Sequence, residues 1–172
     1  MSTRAISTKQ AVNDSQLLSE LRAAIENGSL DEGLARSVLI LKRVSEHYDW
    51  LGIYLVKDDN LVLAAYAGEG ETEHVRIPIG QGICGLAAKQ AETIIVPDVN
   101  KDPRYLMCFP STRSEIVVPI QGTSGGVIGE IDIDSNRLAA FTRRDQDILE
   151  EAAMILGKYL ETKRFSPVSS KT

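Results

Sequence analysis

Residues 50–67, WLGIYLVKDDNLVLAAYA, decide the fold class. Trp50 to Val56 and Leu61 to Ala67 are rich in branched and aromatic residues and flank Lys57-Asp58-Asp59-Asn60, the pattern of a β-hairpin. A second hairpin is predicted from Glu115 to Ile120 and Gly126 to Asp134, joined by Gln121-Gly122-Thr123-Ser124-Gly125. Shorter strands are expected at Val75 to Ile79 and Thr93 to Val96. Outward from the strands the apolar period changes to that of helices. Ser15 to Glu26 places Leu17, Leu18, Leu21, Ala24 and Ile25 on one face, and Asp31 to Tyr48 repeats the pattern behind an N-cap at Ser29 or Asp31. Arg143 to Lys163 reads as a long closing helix capped at Thr142. Helices that bracket five or six strands predict an α+β domain: a mainly antiparallel sheet with the N- and C-terminal helices packed on one face. Residues 1–14 and 164–172 read as polar tails around a single domain over 15–163.

The chain has 172 residues, enough for one substantial core, with 43% hydrophobic and 25% charged residues. Its 19 Lys+Arg against 24 Asp+Glu give a net charge of -5, which argues against a nucleic-acid binder. No apolar run approaches the roughly 20 residues that cross a bilayer. The N-terminal stretch carries no apolar export core, so the expected location is the cytoplasm. There, two cysteines point to thiol chemistry or to inert packing rather than to a disulfide scaffold.

Gly80-Gln81-Gly82-Ile83-Cys84-Gly85 matches a dinucleotide-binding pattern, but its context fails. Pro78 interrupts the preceding strand, and only Leu86 to Gln90 is left for a helix before the next strand begins. The alternative is a glycine-rich turn that places Cys84 at the start of a short helix, where unpaired N–H groups favour a thiolate. Cys108 lies in a loop-like stretch, DPRYLMCFPSTR. In VIGEIDID, alternation puts Glu130, Asp132 and Asp134 on one face, with Ile131 and Ile133 on the other. Carboxylates about 7 Å apart along a strand repel unless solvent or a cation intervenes, so the face is solvated surface, an ammonium site or a general acid. A calcium loop fails, because Arg137 and Arg143 stand where Gly and Glu are required, and no metal is expected. His47 reads as surface, and Trp50 as core in preference to a ligand cage.

Taken in order, Trp50-Leu51-Gly52-Ile53-Tyr54, Val75-Arg76-Ile77-Pro78, the Gly80–Gly85 turn, Pro97-Asp98-Val99, Ser114 to Pro119 and Val127 to Ser135 resemble the GAF domain. More narrowly they resemble the GAF-type free methionine (R)-sulfoxide reductases, over roughly residues 15 to 162. The resemblance implies Cys108 as nucleophile, Cys84 as its redox partner, and Glu115, Asp132 and Asp134 as substrate-binding carboxylates. Glu115 is also a candidate acid, and Trp50 and Tyr54 complete the substrate wall. It further implies no bound cofactor, thioredoxin as external reductant and a homodimer. Two positions depart from the family pattern: His74 stands where a cysteine is frequent, and Arg104 to Phe109 replaces the usual Gly-His-Ile-Ala-Cys-Asp. The second departure favours the alternative reading, a GAF sensor or interaction module that binds a small ligand without turnover.

Overall fold

The first hairpin forms as expected, with β1 over Trp50–Lys57 and β2 over Asn60–Gly68. Asp58 and Asp59 both take positive φ, the conformation of a two-residue turn whose twist matches the flanking strands. The computed structural model describes residues 13–165. The expected tails lie, but for their inner residues, outside that range. The remaining strands are β3 (Arg76–Pro78), β4 (Ile94–Val96), β5 (Ser114–Gln121) and β6 (Val127–Ser135). They complete a six-stranded sheet in the order β3-β2-β1-β6-β5-β4, antiparallel at every pairing.

Three helices cover one face: α1 (Asp14–Glu26), α2 (Leu30–Leu41) and α4 (Arg143–Phe165). Leu17, Leu21, Leu34, Val38, Leu149 and Leu156 from these helices meet Leu51, Ile53, Ile116, Val118, Ile131 and Ile133 from the strands in the larger core. Ser29 and Glu32 form a reciprocal capping box at α2. Thr142 and Asp145 do the same at α4, where Asp145 also accepts a 2.7 Å hydrogen bond from the buried Tyr48 hydroxyl. The second helix is shorter than its apolar pattern suggests. It stops at Leu41 and continues as a 3₁₀ turn over Lys42–Val44, so Tyr48 lies beyond the helix in the core.

The opposite face carries α3 (Gly82–Gln90) and the long segment from Pro97 to Arg113. The helix begins within the glycine-rich turn, earlier than Leu86. A second core of Trp50, Tyr54, Leu61, Ile77, Ile83, Cys84, Val96 and Val117 lies beneath it. Leu61 and Leu63 pack on this face while Ala65 and Ala67 pack on the other, although all four share one alternation. A β-bulge opposite Ile53 and Tyr54 adds a residue to β2 and reverses its sidedness.

Gly52 fixes the geometry of the second face. A Cβ built there would come 2.6 Å from Cζ3 of the Trp50 indole, so the ring lies flat across the backbone of its own strand. Gly52→Ala should lift that ring and cost about 1–3 kcal/mol of stability, as overpacking does. Trp50 is the single tryptophan, so a red shift of intrinsic fluorescence with a lower Tm is expected; an unchanged emission maximum would disprove this packing.

Candidate active site

Strand alternation carries Glu130, Asp132 and Asp134 to the α3 face, and the sheet register gives each its neighbours. Asp132 lies between Gly52 and Val117, and Asp134 between Trp50 and Glu115. Glu130 lies between Tyr54 and Pro119. The reading of this face as solvated surface is overturned. Glu115, Glu130, Asp132 and Asp134 are 2%, 0%, 0% and 1% exposed. Both carboxyl oxygens of Glu130, Asp132 and Asp134, and Oε2 of Glu115, are buried without a hydrogen-bond partner. Glu130 had no place among the expected site residues, yet it is as deeply buried as Asp132.

Two elements bring the thiols to this patch. Gly80 and Gly82 turn the chain through positive φ into α3, which seats Cys84 with its Sγ 3.8 Å from Glu115 Oε1. The 102–113 segment folds over the same turn, with the Leu106 side chain against Gly82 and Phe109 tilted on Trp50 at 5.8 Å between ring centroids. That segment is tied down at several points. Asp102 pairs with Arg104, His74 Nε2 lies 3.0 Å from the Met107 carbonyl oxygen, and the Arg113 N–H donates to the Ser135 carbonyl. Cys108 is half-buried, with its backbone N–H facing the Tyr105 hydroxyl at 3.4 Å. A charge on Cys108 would add to the cost of one on Cys84, after burial and the charges of Asp132, Glu130 and Glu115.

The structure therefore gathers every expected residue on one face. Trp50 stacks on Tyr66 and borders a cavity of 240 Å³ that reaches Asp134, Thr112 and Lys42. It is both core and cavity wall. The Tyr54 ring is buried in the second core, and its hydroxyl donates to the His74 carbonyl at 3.0 Å. His47, expected on the surface, is half-buried with Nε2 3.1 Å from Arg137 Nη1. Glu130 was legible from the alternation of the strand, and Gly52 from a glycine inside a strand. Phe109 and Thr112 carry no local signal, because only the folded loop brings them in.

The expectation of a stabilised thiolate at the N-terminus of α3 is corrected. Burial first, and then the charges of Asp132, Glu130 and Glu115, push the Cys84 thiol well above its usual range. Burial and Asp132 do the same to Cys108. At Cys84 desolvation and three acids outweigh the dipole of a nine-residue helix. Burial likewise holds Glu115, Glu130 and Asp134 well above the carboxylate range, with Asp132 the next cause in each, and pushes Asp132 up to about 6. Near neutral pH the site then holds one carboxylate, Asp132, among protonated acids and thiols, and that buried charge without a counterion favours a cation. Cys84, Glu115 and Asp132 also bring their ligand atoms within 4.8 Å of one another, so they could hold a metal ion.

The family model for the GAF domain matches residues 30–160. Among curated proteins, the free methionine-R-sulfoxide reductase of Saccharomyces cerevisiae is 37% identical over 68% of this chain and 66% of its own length, so the chain spans about two thirds of that relative. The free methionine-R-sulfoxide reductase of Escherichia coli is 35% identical over 73% of this chain and 74% of its own. The crystal structure of free methionine-R-sulfoxide reductase from Neisseria meningitidis in complex with its substrate superposes with a TM-score of 0.81. It is 34% identical and covers 95% of this chain and 97% of its own.

A carboxyl whose folded pKa lies above its unfolded value binds more protons folded than unfolded, so its contribution is complete below the unfolded pKa and lost as pH rises through the folded one. For Asp132 that window runs from its ordinary 3.8 to about 6. Asp132→Asn should therefore stabilise the fold at pH 7.5 by on the order of 2–3 kcal/mol, seen as a higher Tm, and the gain should fade by about pH 4. Thermal melts across this range check it; a variant less stable than wild type at pH 7.5 would refute the charge assignment.

Proposed function

We propose that this chain, which belongs to the GAF domain family, is a thiol-dependent oxidoreductase that reduces free methionine (R)-sulfoxide to methionine. The observation that carries the reading is the cluster of buried, unpaired carboxyls facing two free cysteines beside the Trp50 ring. A free amino acid brings an ammonium that such carboxyls bind, a sulfur that a thiol attacks and a methyl group that an indole covers. A methionine inside a peptide lacks the ammonium.

In the proposed cycle Asp132 and Asp134 take the ammonium, and Trp50 and Tyr54 wall the methyl-sulfur end. Cys108 Sγ bonds to the sulfoxide sulfur while a carboxylic acid, Glu115 or one of the aspartates, gives a proton to the departing oxygen. The oxygen passes to Cys108 as a sulfenic acid and methionine leaves. Cys84 Sγ then attacks Cys108 Sγ and the hydroxyl departs as water, leaving a disulfide. Thioredoxin supplies the two electrons and two protons that restore both thiols. The enzyme needs no bound cofactor. Among the described residues no helix is long and apolar enough to cross a membrane, and we assign the protein to the cytoplasm. The outer face of α1 and α4, where Met154 is exposed, is the proposed homodimer contact.

Mixing the protein with free methionine (R)-sulfoxide, thioredoxin, thioredoxin reductase and NADPH should consume NADPH, with little turnover of the S epimer. Cys108→Ser should abolish the first turnover, whereas Cys84→Ser should retain turnover with dithiothreitol and lose it with thioredoxin. Loss of the first turnover in Cys84→Ser alone would reverse the roles. No turnover with either reductant would favour a sensor that binds without reacting, a reading consistent with the protonated state of both thiols.

A further inference from the structure

We propose that Cys84, Glu115 and Asp132 form a three-ligand site for a divalent cation of the zinc class. The three side chains come from three elements, α3, β5 and β6, and all are buried. Their ligand atoms lie within 4.8 Å of one another, with Cys84 Sγ 3.8 Å from Glu115 Oε1. A tetrahedral zinc bound to sulfur at about 2.3 Å and oxygen at about 2.1 Å sets such atoms roughly 3.5 Å apart. A contraction of at most about 1.3 Å, made by carboxyl rotamers, thus closes the site.

A second observation points to a cation independently of this spacing. Glu130, which is not one of the three ligands, is completely buried, and neither of its oxygens has a hydrogen-bond partner. A carboxyl buried with both oxygens unsatisfied is costly even when protonated, and a cation among its neighbours offsets that cost. Hard cations such as magnesium and calcium prefer all-oxygen shells, so one thiolate among carboxylates selects a softer ion. On binding, a bond forms from Cys84 Sγ to the metal and the thiol proton leaves to solvent. Three protein ligands leave one position open, as in zinc sites that exchange a ligand. The site is tested separately from the proposed turnover but shares all three ligands with it, Asp132 as ammonium partner, Glu115 as candidate acid and Cys84 as resolving thiol, so a metal ion and the substrate exclude each other. A bound metal also withholds Cys84 from disulfide formation.

The test is to titrate the reduced, metal-free chain with cobalt chloride, follow the thiolate-to-cobalt charge-transfer band, and then displace cobalt with zinc chloride. One equivalent should saturate the band. Cys84→Ser should remove the band and Cys108→Ser should keep it. Asp132→Asn, a variant expected to fold at least as firmly as wild type, should weaken cobalt binding by about 10-fold or more, as should Glu115→Gln. A band that survives Cys84→Ser, vanishes in Cys108→Ser, is indifferent to Asp132→Asn or never appears would overturn the site. None of these readouts uses methionine sulfoxide, so failure of the reductase reading leaves them unchanged.

Discussion

A buried carboxyl must keep its proton or find a positive charge, and this fold buries four of them on one side of a single sheet. The period of a β-strand is the cause. In β6 the residues that send Ile131 and Ile133 into the helix-covered core must send Glu130, Asp132 and Asp134 to the other side. Shifting the strand by one residue would place three acids among Leu51, Ile116 and Leu149, so the apolar core enforces the polar site. The flanking strands β1 and β5 complete the arrangement by setting Trp50 and Glu115 on either side of Asp134.

The second face is built from exceptions to regularity. A bulge turns β2 over so that Leu61 and Leu63 support the site while Ala65 and Ala67 leave room for α2. A glycine in the middle of β1 lets an indole lie down where any other residue would hold it upright. A left-handed turn at Gly80 and Gly82 brings α3 down onto the sheet and offers a flat seat to Leu106 of the covering loop. Each exception weakens a local preference.

Most of the architecture was legible, because period-2 and period-3.6 patterns report which side of an element is buried. The four main strands and the two outer helices fall within a residue or two of their expected limits. The end of α2 escaped, because Val44 and Tyr48 continue an apolar pattern that serves the core from outside the helix. Alternation put Glu130, Asp132 and Asp134 on one face but could not say whether that face is wet, since burial there depends on α3 and the loop after Pro97. The same ignorance of burial misjudged Cys84. A helix start argues for a thiolate only when solvent or cations are nearby, and here acids surround the sulfur. Phe109 and Thr112 join the site by loop geometry, for which a sequence period holds no record.

The electrostatics give the proposed substrate a second role. Asp132, a proposed partner of the ammonium, is after burial the first of the acids that hold both thiols protonated. A cation seated among them cancels that influence, stabilises the carboxylate form of its own partners and lowers the cost of a thiolate at Cys108 and Cys84. Binding and thiol activation are then one event. A peptide-bound methionine sulfoxide would lose more than an ion pair, because without its ammonium the nucleophile stays a thiol. For the proposed reaction, selectivity for the free amino acid thus lies in the rate of the chemical step as well as in affinity, and the resting protein, with both thiols protonated beside the Asp132 carboxylate, is shielded from adventitious oxidation.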